Sequence, residues 1–308
     1  MTGGISLKKI ILLLLLLFLL GSASIVSCSN CKESKELDNL IVLSIKEYYE
    51  GVPYIYTYNL KTEQLQKITK LSGYNPVWTK EKQMIVFNDD REYDPSIISS
   101  PSTNSDIYVI NRDGTDEKRI TDNKVSYDPD VNKINGLIFY VSELSEDDFF
   151  KVAIIAVNIN SGCRTKIMES QYYLTFDVAP DGKEIVFDTD YGIFKYNINK
   201  SSIRKLTEAE SLYYGSPKWS PDGEEILYLK GEGNYTNMSV YIMDKNGQNN
   251  RKIASNIAFY EAVWSPDGER IIFMTEEKGL YIINKDGSGL EEVKLPLDKP
   301  YKIYGIDW

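Results

Sequence analysis

The phrase KWSPDGEEILYLK begins at Lys218 and recurs almost unchanged as VWSPDGERIIFMT at Val263, with the two tryptophans 45 residues apart. A repeat of that period means a supersecondary unit stacked on copies of itself. Generalised to an apolar anchor followed seven residues later by isoleucine, the phrase occurs at Trp78 to Ile85, Val131 to Ile138, Val178 to Ile185, Trp219 to Ile226 and Trp264 to Ile271. Behind each comes a segment such as DIYVINRDGTDEKRIT or GLYIINKDGSGLEEVK, which reads as two short strands around a turn. Each unit therefore predicts four strands. EILYLK, RIIFMT and QMIVFN are short, rich in Ile, Phe and Tyr, and bounded by turn residues; none has a helical period. In SPDG, Pro221 or Pro266 presets φ for the first turn position, and Gly223 or Gly268 takes positive φ cheaply, so the motif is explained by turn chemistry alone.

Before the first anchor lie three strand-like segments, LIVLSIK, YIYTYNL and LQKIT; after the last full unit comes YGIDW, an anchor strand with no followers. If the termini meet, these remnants make a sixth unit and leave no open inner edge, which sheet proteins otherwise have to protect. Six units in a closed ring are expected. The residues resemble the TolB-type β-propeller family, whose blades carry a W-S-P-D-G turn and a strand ending in a D-G hairpin. The likeness spans residues 40–308, close in units five and six, recognisable in units two and four (VAPDGKEIVF), and degenerate in unit three (DVNKINGLIF). It implies an all-β, six-bladed β-propeller with four-stranded blades, closed by the C-terminal strand pairing with the N-terminal three. TolB proteins also carry an α/β domain ahead of the propeller, which this chain lacks, so the resemblance implies architecture rather than a role in the Tol system.

Residues 1–27, with Lys8, Lys9 and an apolar run from Ile10 to Leu20, read as a secretory leader, because 11 apolar residues are too few to span a bilayer about 30 Å thick. The segment IVSC resembles a lipobox, which implies that Cys28 becomes the acylated first residue of the mature chain and anchors it to the extracytoplasmic side of a membrane. Residues 28–39 read as a polar tether, whose 11 residues beyond Cys28 reach about 36 Å at full extension. Acylation of Cys28 removes CSNC as a redox motif, and Cys31 and Cys163 are left either free or paired.

The chain contains no histidine, so neither a Ser-His-Asp nor a Cys-His nucleophile can be assembled, and no G-x-S-x-G, G-x-x-x-x-G-K or G-x-G-x-x-G motif is present. No cofactor is expected. A net charge of −10, more negative once Lys8 and Lys9 leave with the leader, argues against nucleic acid, whose binding rests on basic residues. A carboxylate pair could still act on a glycosidic bond, which needs only two acids at the right separation. Asp128, Asp130 and Asn132 alternate in DPDVN and would project from one strand face as oxygen ligands for a hard cation; solvated acids are the competing reading, and the segment does not fit an EF-hand loop.

In the family's geometry, the loops joining second to third strands share one face with those leading into the next blade. The second-to-third loops hold 15 acids against four bases. The longest, NDDREYDPSIISSPSTNS, is a candidate partner-contacting arm with Asp89, Asp90 and Asp94; another holds Asp147 and Asp148. Four or five residues before each anchor stands a tyrosine: Tyr74, Tyr127, Tyr173, Tyr214, Tyr260 and Tyr304. Those at minus four should share the anchor's face and pack between blades; alternatively, the six form an aromatic collar at the channel mouth. The sequence thus points to a monomeric, lipid-anchored binding module of the cell envelope, engaging a basic protein or a glycan through an acidic, tyrosine-rich face. A carboxylate-dependent glycan-active enzyme and a purely structural lipoprotein remain the alternatives.

Overall fold

The computed structural model describes residues 37–48, 51–90, 105–144, 151–189, 192–207, 213–231, 238–257, 261–275 and 279–308. Leu40–Trp308 is one unit of six four-stranded antiparallel sheets. Blade 1 contributes β1 (Leu40–Glu47), β2 (Tyr54–Asn59) and β3 (Leu65–Lys67). Blade 2 is β4 (Tyr74–Trp78), β5 (Met84–Asp89), β6 (Asp106–Asn111) and β7 (Lys118–Arg119). Blade 3 is β8 (Ser126–Val131), β9 (Ile138–Glu143), β10 (Val152–Val157) and β11 (Arg164–Ser170). Blade 4 is β12 (Phe176–Val178), β13 (Glu184–Thr189), β14 (Gly192–Asn197) and β15 (Ser202–Lys205). Blade 5 is β16 (Tyr214–Trp219), β17 (Glu225–Gly231), β18 (Met238–Asp244) and β19 (Arg251–Ile257). Blade 6 is β20 (Ala262–Trp264), β21 (Arg270–Met274), β22 (Leu280–Asn284) and β23 (Glu291–Val293). The last strand, β24 (Tyr301–Asp307), pairs antiparallel with β1 and completes blade 1. Each inner strand lies beside the next around the ring, including β20 beside β24, so the propeller is closed.

The seven-residue spacing is a cross-strand register. Trp78 pairs with Ile85, Val131 with Ile138, Val178 with Ile185, Trp219 with Ile226, and Trp264 with Ile271. The intervening turns are set by short side chains: Ser220 donates to Asp222 (2.6 Å) and accepts from the Glu225 amide (2.9 Å), while Gly223 sits at φ 72° and Gly268 at φ 70°. Blade 3 lacks this phrase and uses Asn132, whose side-chain oxygen accepts from the amides of Ile134 and Asn135 at 3.0 Å each. A second repeat, the threonine of KIT, RIT and KLT, stitches strands at the opposite end. Thr69, Thr121 and Thr207 accept from the amides of Ile55, Ile107 and Ile193 at 3.0, 2.9 and 3.0 Å.

The core lies between blades rather than within them. Each anchor packs against the preceding blade: Trp78 against Val42 and Ile55, Trp219 against Val186 and Ile193, Trp264 against Leu227 and Val240, Trp308 against Ile272 and Leu280. Burying roughly 200 Å² of such a ring removes about 5 kcal/mol of apolar hydration before entropy is counted. The residue just before the anchor consequently faces the following blade. That alternation positions the site.

Candidate functional site

The inner strands do not run straight. In β4, β8 and β16 the pairing slips between Tyr74 and Val77, Tyr127 and Asp130, and Gly215 and Lys218. Within each bulge a non-glycine residue adopts positive φ, Asn75 at 45°, Asp128 at 50° and Ser216 at 48°, and a proline follows directly. Bulges of this kind re-aim side chains next to functional surfaces.

Polar residues one and three positions before the anchors meet around the axis, where they tie one blade to the next. Asp130 Oδ2 accepts from the Val178 amide (2.7 Å) and Asp177 Oδ2 from the Trp219 amide (2.7 Å). Glu261 Oε2 accepts from the Ile306 amide (3.0 Å) and Asp307 Oδ2 from the Trp78 amide (2.8 Å). Blades 5 and 6 are joined by Lys218, whose Nζ lies 3.4 Å from Glu261 Oε1 and 3.9 Å from Asp177 Oδ1, and whose carbonyl accepts from Trp264 Nε1 at 3.2 Å. At the junction of blades 2 and 3 the residue before the anchor is Val77, which packs with Val131 and Ile138, and the polar link is made instead by Ser105, whose hydroxyl donates to the Ser126 carbonyl at 2.9 Å. Charged acceptors on backbone amides are among the stronger hydrogen bonds.

Burial raises the carboxyls of Asp130, Asp177 and Glu261, with the neighbouring Lys218 opposing it. Asp128 is pushed up to about 7, first by burial, then by Glu261, Asp188 and Asp130, against the pull of Lys218. Burial alone would lower the Lys218 ammonium, but Glu261, Asp177, Asp130 and Asp128 outweigh it and hold the group well above the usual lysine range. Lys218 therefore stays protonated and is unsuited to act as a nucleophile.

The proposed ligand triad Asp128, Asp130 and Asn132 is not assembled. The bulge at Asp128 breaks the strict alternation, and the Asn132 side chain is spent on its own turn and on the Ala179 carbonyl (3.3 Å). Among the described residues no group of three or more His, Cys, Asp or Glu is placed to hold a metal ion.

At the loop end of the inner strands, Tyr74 and Tyr304 meet edge to face across blades 1 and 2 with centroids 6.1 Å apart. Tyr127 and Tyr173 meet across blades 3 and 4 at 6.5 Å. Tyr74 donates to Asp90 Oδ2 (3.3 Å) and Tyr173 to Glu143 Oε1 (3.4 Å). Burial, then the Asp90 charge, holds the Tyr74 phenol above its ordinary value. Tyr214 is buried against Trp219 and Tyr228. The expected phase is reversed by the bulges. Tyr127, four residues before Val131, packs in a different cluster from that anchor, whereas Tyr214, five before Trp219, shares its cluster, because one extra residue shifts the period-two alternation. Asp89 is buried and accepts from Ser72. Tyr260, Asp94, Asp147, Asp148, Cys28 and Cys31 lie outside the described residues, and Cys163 is exposed in the turn between β10 and β11. Asp177, Lys218, Glu261 and Asp307 were not singled out from sequence. For Asp177, Lys218 and Asp307 the signal is a charged residue beside an anchor, in FDV, PKW and IDW, and for Glu261 one three residues before Trp264 in EAVW, where a two-faced buried strand would otherwise be apolar.

No protein-family model and no curated protein matches this sequence. Among solved structures the chain aligns with TolB from Acinetobacter baumannii at TM-score 0.72 and 17% identity, over 88% of this chain and 66% of that one. The chain is similar in fold to TolB. A TolB-like protein from Agrobacterium tumefaciens aligns at TM-score 0.52 and 16% identity, over 74% of this chain and 94% of that one. An oligogalacturonate lyase in complex with manganese aligns at TM-score 0.59 and 14% identity, over 84% and 79%. At these identities the likeness shows the fold alone, and this chain spans 66% of the length of Acinetobacter TolB, just under two thirds.

Proposed function

We propose that this chain is a lipid-anchored, extracytoplasmic binding module that engages a basic protein segment at the tyrosine and acid rim. The observation that carries the reading is the pair of cross-blade tyrosine contacts, each tied to a carboxylate, Tyr74 to Asp90 and Tyr173 to Glu143. Beside the second pair Leu144, Tyr172 and Tyr173 expose 40, 43 and 36% of their surface, an apolar group with acidic neighbours that suits a cationic side chain with an apolar flank. The acid excess in the second-to-third loops would concentrate such a partner, and more so at low salt. Fold likeness to TolB contributes the scaffold to this reading, and the leader with Cys28 contributes the anchor.

Cross-linking in native membranes followed by mass spectrometry names the partner, and its affinity is then measured from 50 to 500 mM salt. We expect a loss on the order of tenfold across that range, and a further loss of about tenfold for Tyr173→Ala combined with Glu143→Gln. Affinity indifferent to both overturns the rim reading. Cys28→Ser is expected to move the protein from the membrane pellet to the soluble fraction; retention in the pellet refutes the anchor.

A second reading is favoured by Asp128, a carboxyl near neutrality beside Asp130 and Glu261, as a general acid acting on glycans would require. The commitment of Asp130, Asp177 and Glu261 to backbone amides weighs against it. Release of oligosaccharide from a polysaccharide panel, abolished by Asp128→Asn while binding persists, would establish the enzyme instead.

A further inference from the structure

The rim and the point where the chain enters the propeller lie at opposite ends of the strands. Each inner strand runs from the rim to a tight turn, and each second strand runs back. In blade 1 the second strand is β1, which therefore starts at the turn end and finishes at the rim. Its Val42 pairs with Asp307 at the end of β24, whereas Glu47 pairs with Tyr301 at its start. Lys82, buried in the turn between β4 and β5, fixes the entry point by donating from Nζ to the Leu40 carbonyl at 2.7 Å. The eight residues of β1, at about 3.3 Å each, set Leu40 roughly 25 Å from the rim. The two ends also differ in charge. The first-to-second and third-to-fourth turns hold nine bases against 11 acids, while the second-to-third loops at the rim hold four against 15.

We propose that the propeller stands with its turn face toward the membrane and its rim facing away, so that the basic segment reaches the rim from the side opposite the anchoring lipid. This orientation rests on the lipid anchor at Cys28, and it gives the rim a direction from which its partner must come. A tether of about 36 Å that joins the propeller at Leu40 needs most of its length to run alongside β1 and bring the rim down to the lipid, whereas the turn face meets the surface at any extension. Charge adds to the bias, because an anionic leaflet repels the rim more than the nearly balanced turn face. A partner embedded in the same leaflet would have to rise past the thickness of the propeller to reach Tyr74, Tyr173 and their carboxylates.

The test uses the full acylated chain on vesicles of phosphatidylcholine and phosphatidylglycerol that carry a headgroup-linked energy-transfer acceptor. With Cys31→Ser in the tether, a donor dye on Cys163, exposed in the turn between β10 and β11, reports the turn face without any change to the propeller. With Cys163→Ser added, donors on Tyr172→Cys and, separately, on Leu144→Cys, both exposed beside the rim, report the other end. We expect transfer from Cys163 to exceed that from either rim position by about twofold or more, because the two ends are roughly 25 Å apart. Equal transfer from the two ends, or stronger transfer from the rim, in vesicles that retain the protein overturns the orientation while leaving the anchor and the rim's partner chemistry standing. Protein that stays in solution overturns the orientation together with the anchor.

Discussion

Replacing Lys218 with methionine is expected to destabilise the propeller by about 3–5 kcal/mol at pH 8, the usual cost of removing one partner from a buried ionic group. Methionine keeps the aliphatic stem packed and deletes only the charge. What remains is Asp177 and Glu261, each with one oxygen aimed at an absent ammonium, and Asp128 and Asp130 alongside, all already raised by burial. The stabilising contribution of Lys218 is fully present below the ordinary lysine range and would be lost only as pH rises above it, so the wild type retains it throughout the neutral window. The variant's defect behaves differently, because the raised carboxyls take up protons as pH falls. The gap between the two proteins should shrink below about pH 6. Urea denaturation at pH 5 and pH 8 reads this directly; a penalty under about 1 kcal/mol, or one of equal size at both pH values, rules out the account of Lys218 as the counter-ion of the ring.

The second large effect concerns closure. Trp308 is 2% exposed, packs on blade 6 against Val263, Ile272, Met274 and Leu280, and has the Arg270 guanidinium 4.8 Å from its ring centroid. The two residues ahead of it supply the polar links to either side, Ile306 N to Glu261 and Asp307 to Trp78 N. Trp308→Ala should cost about 3–5 kcal/mol, the range for deleting a buried aromatic ring, and lower Tm by about 6–15 °C for a domain of this size. Because β24 forms the inner edge of blade 1, the loss should appear first as faster hydrogen exchange along β1 and β4 rather than uniformly. Trp308→Phe should recover a large part of the stability. If Trp308→Ala unfolds at the wild-type midpoint, the terminal strand is not what holds the ring shut.

The strand registers, the turn glycines and the sixth composite blade were all legible in the chain, because each rests on local spacing. Seven residues from Trp219 to Ile226 leave room for one tight turn, and Pro221 with Gly223 chooses it. The leftover segments at the two ends imply closure by simple counting of strands, and β24 beside β1 is that closure. The rim was legible only in part: the tyrosines are where the spacing puts them along the chain, but a one-residue bulge at Asn75, Asp128 or Ser216 reverses which face they occupy, and nothing in alternation alone announces it.

By itself, then, the sequence determined what each blade is and how many there are, since hydrophobic period and turn chemistry act over a few residues. Only the tertiary structure decided that Asp128, Asp130, Asp177, Lys218 and Glu261 form one electrostatic unit. They are contributed by four different blades and lie far apart along the chain, so their mutual charges are felt only after ring closure brings the inner strands together and burial strengthens each interaction.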